Sequence, residues 1–389
     1  MGRSGNYDPL SMESSRHALA PAAPPVGEFL LCACQAGAEA ALRDRFASRF
    51  PGFRPGAWRK GVATFRLPPA TGAGTSGPAP RDMLDALVFA RTVVHSLGQV
   101  TGADVAALAA AASGLAGRHD WQRVHCWSRQ FVPGPPPAAV AEATCSVRQA
   151  LVAAAGLPPD TGWLASPGDL VLDVVLDTPE RWWVGWHRVE SPAGCWPGGI
   201  YPPAGAELPV GKVSRAWLKL DEAIALFGIP FVPGQQAVEL GAAPGGACQR
   251  LLEAGLRVVG VDPALVDPAV VALAGFTHWR MRARDVPLAR FAGADWLVSD
   301  MNIDPTSTLA ALGRVATARG VRLEGIVATL KIPTWSRASE LSKWLASFRD
   351  WGFSPRARQL SSGGREICVL ATRREGRVTP RRARPPREA

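Results

Sequence analysis

The chemistry-bearing residues of this 389-residue chain cluster in its C-terminal half, at the ends of short apolar runs. The most informative stretch is Glu239-Leu240-Gly241-Ala242-Ala243-Pro244-Gly245-Gly246, where an apolar run ends beside a carboxylate and a string of small residues opens a helix. Gly241, Gly245 and Gly246, with Ala242, Ala243 and Pro244 between them, let a ligand approach the backbone closely. The run is not G-x-G-x-x-G, which disfavours a dinucleotide pyrophosphate grip. Asp262 closes the next apolar run, 23 residues beyond Glu239, where a carboxylate suits hydrogen bonds to ribose hydroxyls. Asp300 ends the run Trp296–Ser299 and Lys331 follows Gly325–Leu330, so both are expected on one rim.

That rim needs a sheet to carry it. From Gln236 onward, strands predicted at Ala237–Leu240, Arg257–Val261, Trp296–Ser299 and Gly325–Leu330 alternate with helices at Ala247–Ala254, Val266–Leu273, Thr308–Arg319 and Ser336–Trp351, before a last strand pair at Arg356–Leu360 and Ile367–Thr372. The alternation predicts an α/β domain with an open, mostly parallel sheet and helices on both faces. Ligands in such a sheet sit at the carboxyl ends of the strands, where strand order reverses.

The N-terminal half reads differently. Strands at Phe29–Cys34 and Val62–Leu67, helices at Ala38–Phe50 and Met83–Ala90, and the apolar Val93–Val100 describe a small α+β unit, interrupted by a loop at Pro68–Pro80. Helices near Asp104–Ala116 and Ala138–Ala155 follow, then a hairpin pairing Leu170–Leu176 with Trp182–Val189. In the second arm Trp182, Val184 and Trp186 point one way, Trp183 and His187 the other. Core packing is the favoured role for these tryptophans over base stacking. Residues 190–213, dense in Gly and Pro, mark the main boundary.

Composition narrows the class of partner. The chain is 47% hydrophobic and 20% charged with a net charge of +10, which suits a globular protein with a polyanionic partner. Half of that charge lies in residues 373–389, seven Arg against two Glu, a solvated tail by its composition. Seven scattered cysteines with no C-x-x-C pair suit reduced thiols in the cytoplasm. Neither Phe29–Cys34 nor the Ala-rich Val105–Ala116 has the length or flanks of a signal peptide or a membrane span, so no membrane partner is expected.

The glycine-containing run, preceded by Ser214-Arg215-Ala216-Trp217-Leu218-Lys219-Leu220, closely resembles the FtsJ-like family of S-adenosylmethionine-dependent ribose 2′-O-methyltransferases. Lys219, Asp300 in Val298-Ser299-Asp300-Met301, Lys331 in Leu330-Lys331-Ile332-Pro333, and Glu366 in Arg365-Glu366-Ile367 match that family's Lys-Asp-Lys-Glu tetrad one by one. The resemblance runs from about Glu28 to Arg374. It implies a Rossmann-like class I methyltransferase domain at 214–374 and a linker at 194–213. Ahead of them it implies a ferredoxin-like α+β segment at 27–100 and a THUMP-like RNA-binding segment at 101–193. Residues 1–26 and 375–389 are then disordered ends. The implied substrate is a cytidine ribose in 23S rRNA, naked or in an assembly intermediate, and the implied enzyme is a monomer. The implied cofactor contacts are Ser214, Glu239, Gly241, Ala242, Ala243, Pro244, Gly245, Gly246, Asp262, Asp285 and Asp300. Asp285 is either the acid that reads the cofactor's adenine or a surface Asp among Arg280, Arg282, Arg284 and Arg290. A solvated face is the favoured role for those arginines over contact with RNA phosphate.

A ribose hydroxyl is a weak acid and must lose its proton while attacking an electrophilic methyl. Lysine serves as base once its pKa is lowered, and two lysines in one site are expected to do that to each other. Lys331 is assigned as the base and Lys219 as its electrostatic partner and ribose-positioning group, the sequence by itself leaving open which of the two deprotonates. Asp300 and Glu366 orient the amines, and no metal is required. A base N-methyltransferase is disfavoured, because Asp300-Met301-Asn302-Ile303-Asp304 lacks the [Asn/Asp]-Pro-Pro-aromatic element. The competing reading is a non-catalytic rRNA-binding assembly factor on the same fold.

Overall fold

The computed structural model describes residues 24–68, 83 and 86–373. Residues 1–23, 69–80 and 374–389, which hold most of the expected extension, loop and basic tail, lie outside the described residues.

Among the described residues, the N-terminal half is built on ten principal helices and strands. In chain order they are β1 (Phe29–Cys34), α1 (Glu39–Arg49), β2 (Arg54–Arg59), β3 (Val62–Arg66), β4 (Ala90–Thr101), α2 (Val105–Ala116), β5 (Arg123–Ser128), α3 (Ala138–Ala154), β6 (Leu170–Thr178) and β7 (Arg181–Arg188). The strands form one sheet in the order β2-β3-β1-β4-β7-β6-β5, with β5 and β6 its parallel pair. The stretches 27–100 and 101–193 therefore share a single sheet, joined through the β4–β7 ladder. Two of its strands escape a periodicity reading. β2 is Arg-Pro-Gly-Ala-Trp-Arg, almost wholly exposed and paired with β3 at the edge of the sheet. β5 is buried on both faces at four consecutive positions, which erases alternation. Trp182, Trp183 and Trp186 are all buried on the two faces of β7, as core packing requires.

The Gly/Pro stretch after β7 is not an open spacer. It winds through 3₁₀ turns at Pro192–Cys195, Pro197–Gly199 and Pro202–Gly205, and buries Cys195 and Trp196 against the C-terminal half. There the elements are α4 (Ala216–Phe227), β8 (Gln236–Leu240), α5 (Gly246–Glu253), β9 (Arg257–Val261), α6 (Pro268–Val271), β10 (Phe276–Trp279), β11 (Trp296–Ser299), α7 (Pro305–Ala316), β12 (Gly325–Lys331), α8 (Leu341–Asp350), β13 (Phe353–Arg358) and β14 (Glu366–Arg373). Their sheet runs β10-β9-β8-β11-β12-β14-β13. The first five strands are parallel and β14 is antiparallel to both neighbours, which is the mostly parallel α/β arrangement expected. Strand order reverses between β8 and β11, so the crevice lies over their carboxyl ends.

Local details differ from expectation. The helix expected at Val266–Leu273 is one turn, Pro268–Val271, because Asp267 and Pro268 set its start and Gly275 follows closely. The helix expected over Ser336–Trp351 splits into a 3₁₀ turn, Trp335–Glu340, and α8. α4 and β10 have no counterpart among the elements expected from the sequence.

The two halves share one continuous core, running from Leu30, Phe46 and Phe89 to Leu240, Phe291 and Trp344. Hydrogen bonds cross the junction as well: Gln359 N donates to Val88 O at 2.8 Å, and the Arg358 guanidinium Nη2 donates to Ala90 O at 3.0 Å.

Candidate active site

Asp300 follows β11 directly, at the strand-order reversal, and Lys331 is the last residue of β12 on the neighbouring strand end. Because β14 runs antiparallel, its first residue returns to that same rim, and Glu366 is the register partner of Lys331. Lys219 arrives from α4, whose Leu218, Leu220 and Ala223 are buried in packing. The structure brings these four residues together. Lys219 Nζ lies 2.6 Å from Asp300 Oδ2 and 3.1 Å from Glu366 Oε1. Lys331 Nζ lies 3.2 Å from Asp300 Oδ1 and 2.5 Å from Glu366 Oε2. Each ammonium bridges both acids and each carboxylate gives one oxygen to each amine, so the charges alternate around a closed ring. The cluster is sheltered yet reachable, from 9% side-chain exposure at Glu366 to 21% at Lys331.

The ring corrects one expectation. Burial by itself would lower the pKa of Lys219, but Asp300 and Glu366 outweigh it and hold the ammonium above its ordinary value. The two carboxylates, not the second lysine, set the charge of Lys219.

The glycine-rich turn stands beside the ring. Gly241 has φ +83°, and a side chain there would meet Met301 Cγ at 2.7 Å. A Cβ on Gly246 would come within 2.2 Å of Ser214 Oγ. That hydroxyl is buried and has no hydrogen-bond partner among the described residues. Asp262 braces the turn: its Oδ2 accepts from Ala243 N at 3.1 Å and its Oδ1 from Ala264 N at 2.8 Å. Glu239 is turned inward, away from the open rim. It is buried and accepts a hydrogen bond from Cys248 Sγ at 2.8 Å. Burial, reinforced by Asp300 and Asp262 and partly offset by that bond, raises its pKa to about 8. Asp285 is exposed on a 3₁₀ turn, 3.7 Å from its neighbour Arg284. Arg280, Arg282, Arg284 and Arg290 are all exposed.

Residues 212–322 match the FtsJ-like methyltransferase family model. The chain is also similar to proteins named Ribosomal RNA large subunit methyltransferase M. The Halorhodospira halophila protein is 33% identical over 195 residues, covering 49% of this chain and 55% of that one. The Methylococcus capsulatus protein is 35% identical over 152 residues, 38% of this chain and 41% of the relative. For the Azoarcus protein the figures are 29% over 222 residues, 54% and 58%. The chain thus spans about half the length of the curated relatives it matches. Lys331 and Glu366 lie beyond the family-model segment, so their place in the ring rests on this structure's own geometry.

Sequence reasoning missed the residue that holds the ring's last member in place. Glu222 sits one turn after Lys219 on α4 and is buried. Its Oε1 accepts from Ser361 N (2.7 Å) and Ser361 Oγ (2.9 Å); its Oε2 accepts from Ser362 N (2.7 Å) and Ser362 Oγ (2.6 Å). Burial raises its pKa, and these four bonds oppose that rise. One carboxylate thereby pins the loop that leads into Glu366. From the other side, Gln35 of the N-terminal half donates to Gly363 O at 3.2 Å. A signal was available, since Glu222 falls within the apolar stripe Leu220, Ala223, Leu226, where a charge needs a partner.

Proposed function

We propose that this protein is an S-adenosylmethionine-dependent methyltransferase that methylates the 2′-hydroxyl of a cytidine ribose in 23S rRNA. The observation that carries the reading is the closed Lys219–Asp300–Lys331–Glu366 ring at the strand-order reversal, beside the glycine-rich turn. The buried, unpartnered Ser214 hydroxyl, packed against Gly246 at the start of the glycine-rich turn, suits a polar group of the cofactor. Ser214, residues 241–246 and Asp262 would hold it. Bound there, S-adenosylmethionine supplies an electrophilic methyl group on a sulfonium.

The side chains divide the remaining work. Lys219, kept as an ammonium by its two acids, positions the ribose oxygen by hydrogen bonding. Lys331 in its neutral form would accept the 2′-hydroxyl proton, while Asp300 and Glu366 hold both amines in place. General-base help of this kind contributes roughly 10²–10⁴-fold, and alignment of oxygen with methyl supplies much of the rest. The net charge of +10 and the exposed arginines at 280–290 support an RNA substrate. Among the described residues no helix is long and apolar enough to cross a membrane.

The test is incubation of the purified chain with tritiated S-adenosylmethionine and large-subunit rRNA, both naked and in assembly intermediates, followed by nucleoside mass spectrometry. 2′-O-Methylcytidine is expected with wild type and at least a hundredfold less with Lys331→Ala. Label on a base instead of a ribose, or equal label with both proteins, overturns the assignment. Tight rRNA binding with no transfer to any form offered would favour the non-catalytic assembly factor.

A further inference from the structure

A second polar cluster lies inside the N-terminal sheet, beside the turn that follows β7. His125 on β5 and Asp173 on β6 are register partners, and His187 on β7 lies diagonally across, two residues beyond Gly185, the partner of Asp173. All three are buried, and their ligand-capable atoms lie within 4.8 Å of one another. His187 Nδ1 is 2.5 Å from Asp173 Oδ2, and His125 Nδ1 is 4.0 Å from Asp173 Oδ1. The outer contacts are also in place. His187 Nε2 donates to the Gly194 carbonyl at 2.9 Å, and Trp127 Nε1 donates to Asp173 Oδ1 at 3.3 Å. His125 is different: it is fully buried, and neither of its ring nitrogens has a hydrogen-bond partner among the described residues. A buried imidazole without a partner is costly, and here it faces a carboxylate and a second imidazole.

We infer that His125, Asp173 and His187 form a binding site for one divalent ion of the zinc class, ligated through His125 Nδ1, His187 Nδ1 and an Asp173 oxygen. Two imidazoles and one carboxylate suit Zn²⁺, whereas Mg²⁺ and Ca²⁺ prefer oxygen donors throughout. Tetrahedral ligands at about 2.0–2.1 Å stand about 3.3 Å apart. The 2.5 Å contact therefore opens and the 4.0 Å contact closes, each by less than about 1 Å on that geometry. The ion replaces the Nδ1 proton of His187, which leaves to solvent. The Gly194 carbonyl fixes the ring so that Nδ1 faces the ion, and the Trp127 indole steadies the carboxylate, the kind of outer support that tunes metal affinity. Because Gly194 belongs to the turn Pro192–Cys195, the ion would fasten the N-terminal sheet to the segment leading into the C-terminal half. The site does not depend on the methyl-transfer reading. Linear spacing conceals it, because its ligands come from three separate strands.

The experiment uses the full chain carrying no histidine tag, loaded with Zn²⁺, dialysed and measured by plasma mass spectrometry, with Co²⁺ as the spectroscopic substitute. About one zinc per chain and visible cobalt d–d bands are expected, with both lost in His125→Ala. Should that variant not fold, as judged by circular dichroism, Trp127→Phe keeps an aromatic ring and deletes the outer hydrogen bond. It should weaken zinc binding about 10–100-fold. A folded wild type that retains no zinc overturns the site. So does zinc content unchanged in folded His125→Ala, or zinc affinity unchanged in Trp127→Phe.

Discussion

Replacing Glu222 by alanine should be among the most damaging single changes in the C-terminal half, although Glu222 touches neither Lys331 nor Asp300 in the ring. The side chain is 2% exposed, and Ser361 and Ser362, which supply its four donors, are 4% and 3% exposed. Each hydrogen bond to a charged group is worth roughly 1.5–3 kcal/mol. The four are not additive, because the carboxylate's own burial opposes them. Glu222→Ala leaves buried serine donors unpaired at about 1–3 kcal/mol each, partly relieved as the hydroxyls turn, and about 3–5 kcal/mol is the expected loss. Glu222→Gln should cost about half as much, roughly 1.5–3 kcal/mol. Its amide oxygen still serves one serine, and the other hydroxyl can turn to accept from the new NH₂, but one serine backbone N–H then faces another donor. Against a typical stability of about 5–15 kcal/mol, both losses are measurable. Denaturant unfolding followed by circular dichroism gives the energies, and amide exchange over residues 359–366 localises them. The same variant should lower kcat about 100-fold for each ångström by which Glu366 is displaced, with cofactor binding retained. If Glu222→Ala unfolds within about 0.5 kcal/mol of wild type and its serine amides stay protected, the carboxylate does not pin this loop and the reasoning fails.

Three further outcomes follow from the same chemistry. Lys331→Arg should cost 10²–10⁴ in methyl-transfer rate, because a guanidinium cannot give up its proton, whereas Lys219→Arg should retain far more activity than Lys219→Met; the reverse ranking would exchange the roles of the two lysines. Glu239, with its pKa raised to about 8 in the fold against an ordinary 4.5, keeps its proton where the unfolded chain has lost it. The stability it confers is complete below pH 4.5 and is lost as pH rises through 8, by up to about 5 kcal/mol, so Glu239→Gln should flatten that alkaline decline in denaturation curves. His95 has the opposite sign: burial, aided by His187, lowers its pKa to about 4, so its contribution is present above pH 6.5 and fades as pH falls through 4. His95→Gln should therefore unfold less steeply with acid than wild type, and an unchanged acid limb would count against this assignment.

How far the sequence alone reaches differs between the two halves. The carboxyl ends of β8, β9, β11 and β12 were legible because each strand is a short apolar run followed at once by small or charged residues, a strictly local signal. Asp262, Asp300 and Lys331 inherit their places from that signal. β2 and β5 were illegible because one is exposed at nearly every position and the other buried on both faces, and neither leaves an alternation to read. The sequence also carried the residue types of the ring, but not its connections or the balance of charge at Lys219. Those depend on β14 running antiparallel, so that Glu366 returns to the rim as the partner of Lys331, and on α4 lying close enough for Lys219 to reach both acids. Likewise the inward turn of Glu239, the loop pinned by Glu222 and the meeting of His125, Asp173 and His187 arise only when distant strands and helices pack. Residue periodicity reports what a segment does to its own backbone; strand register and helix docking are set by contacts between segments far apart in the chain, and only the folded structure holds that information.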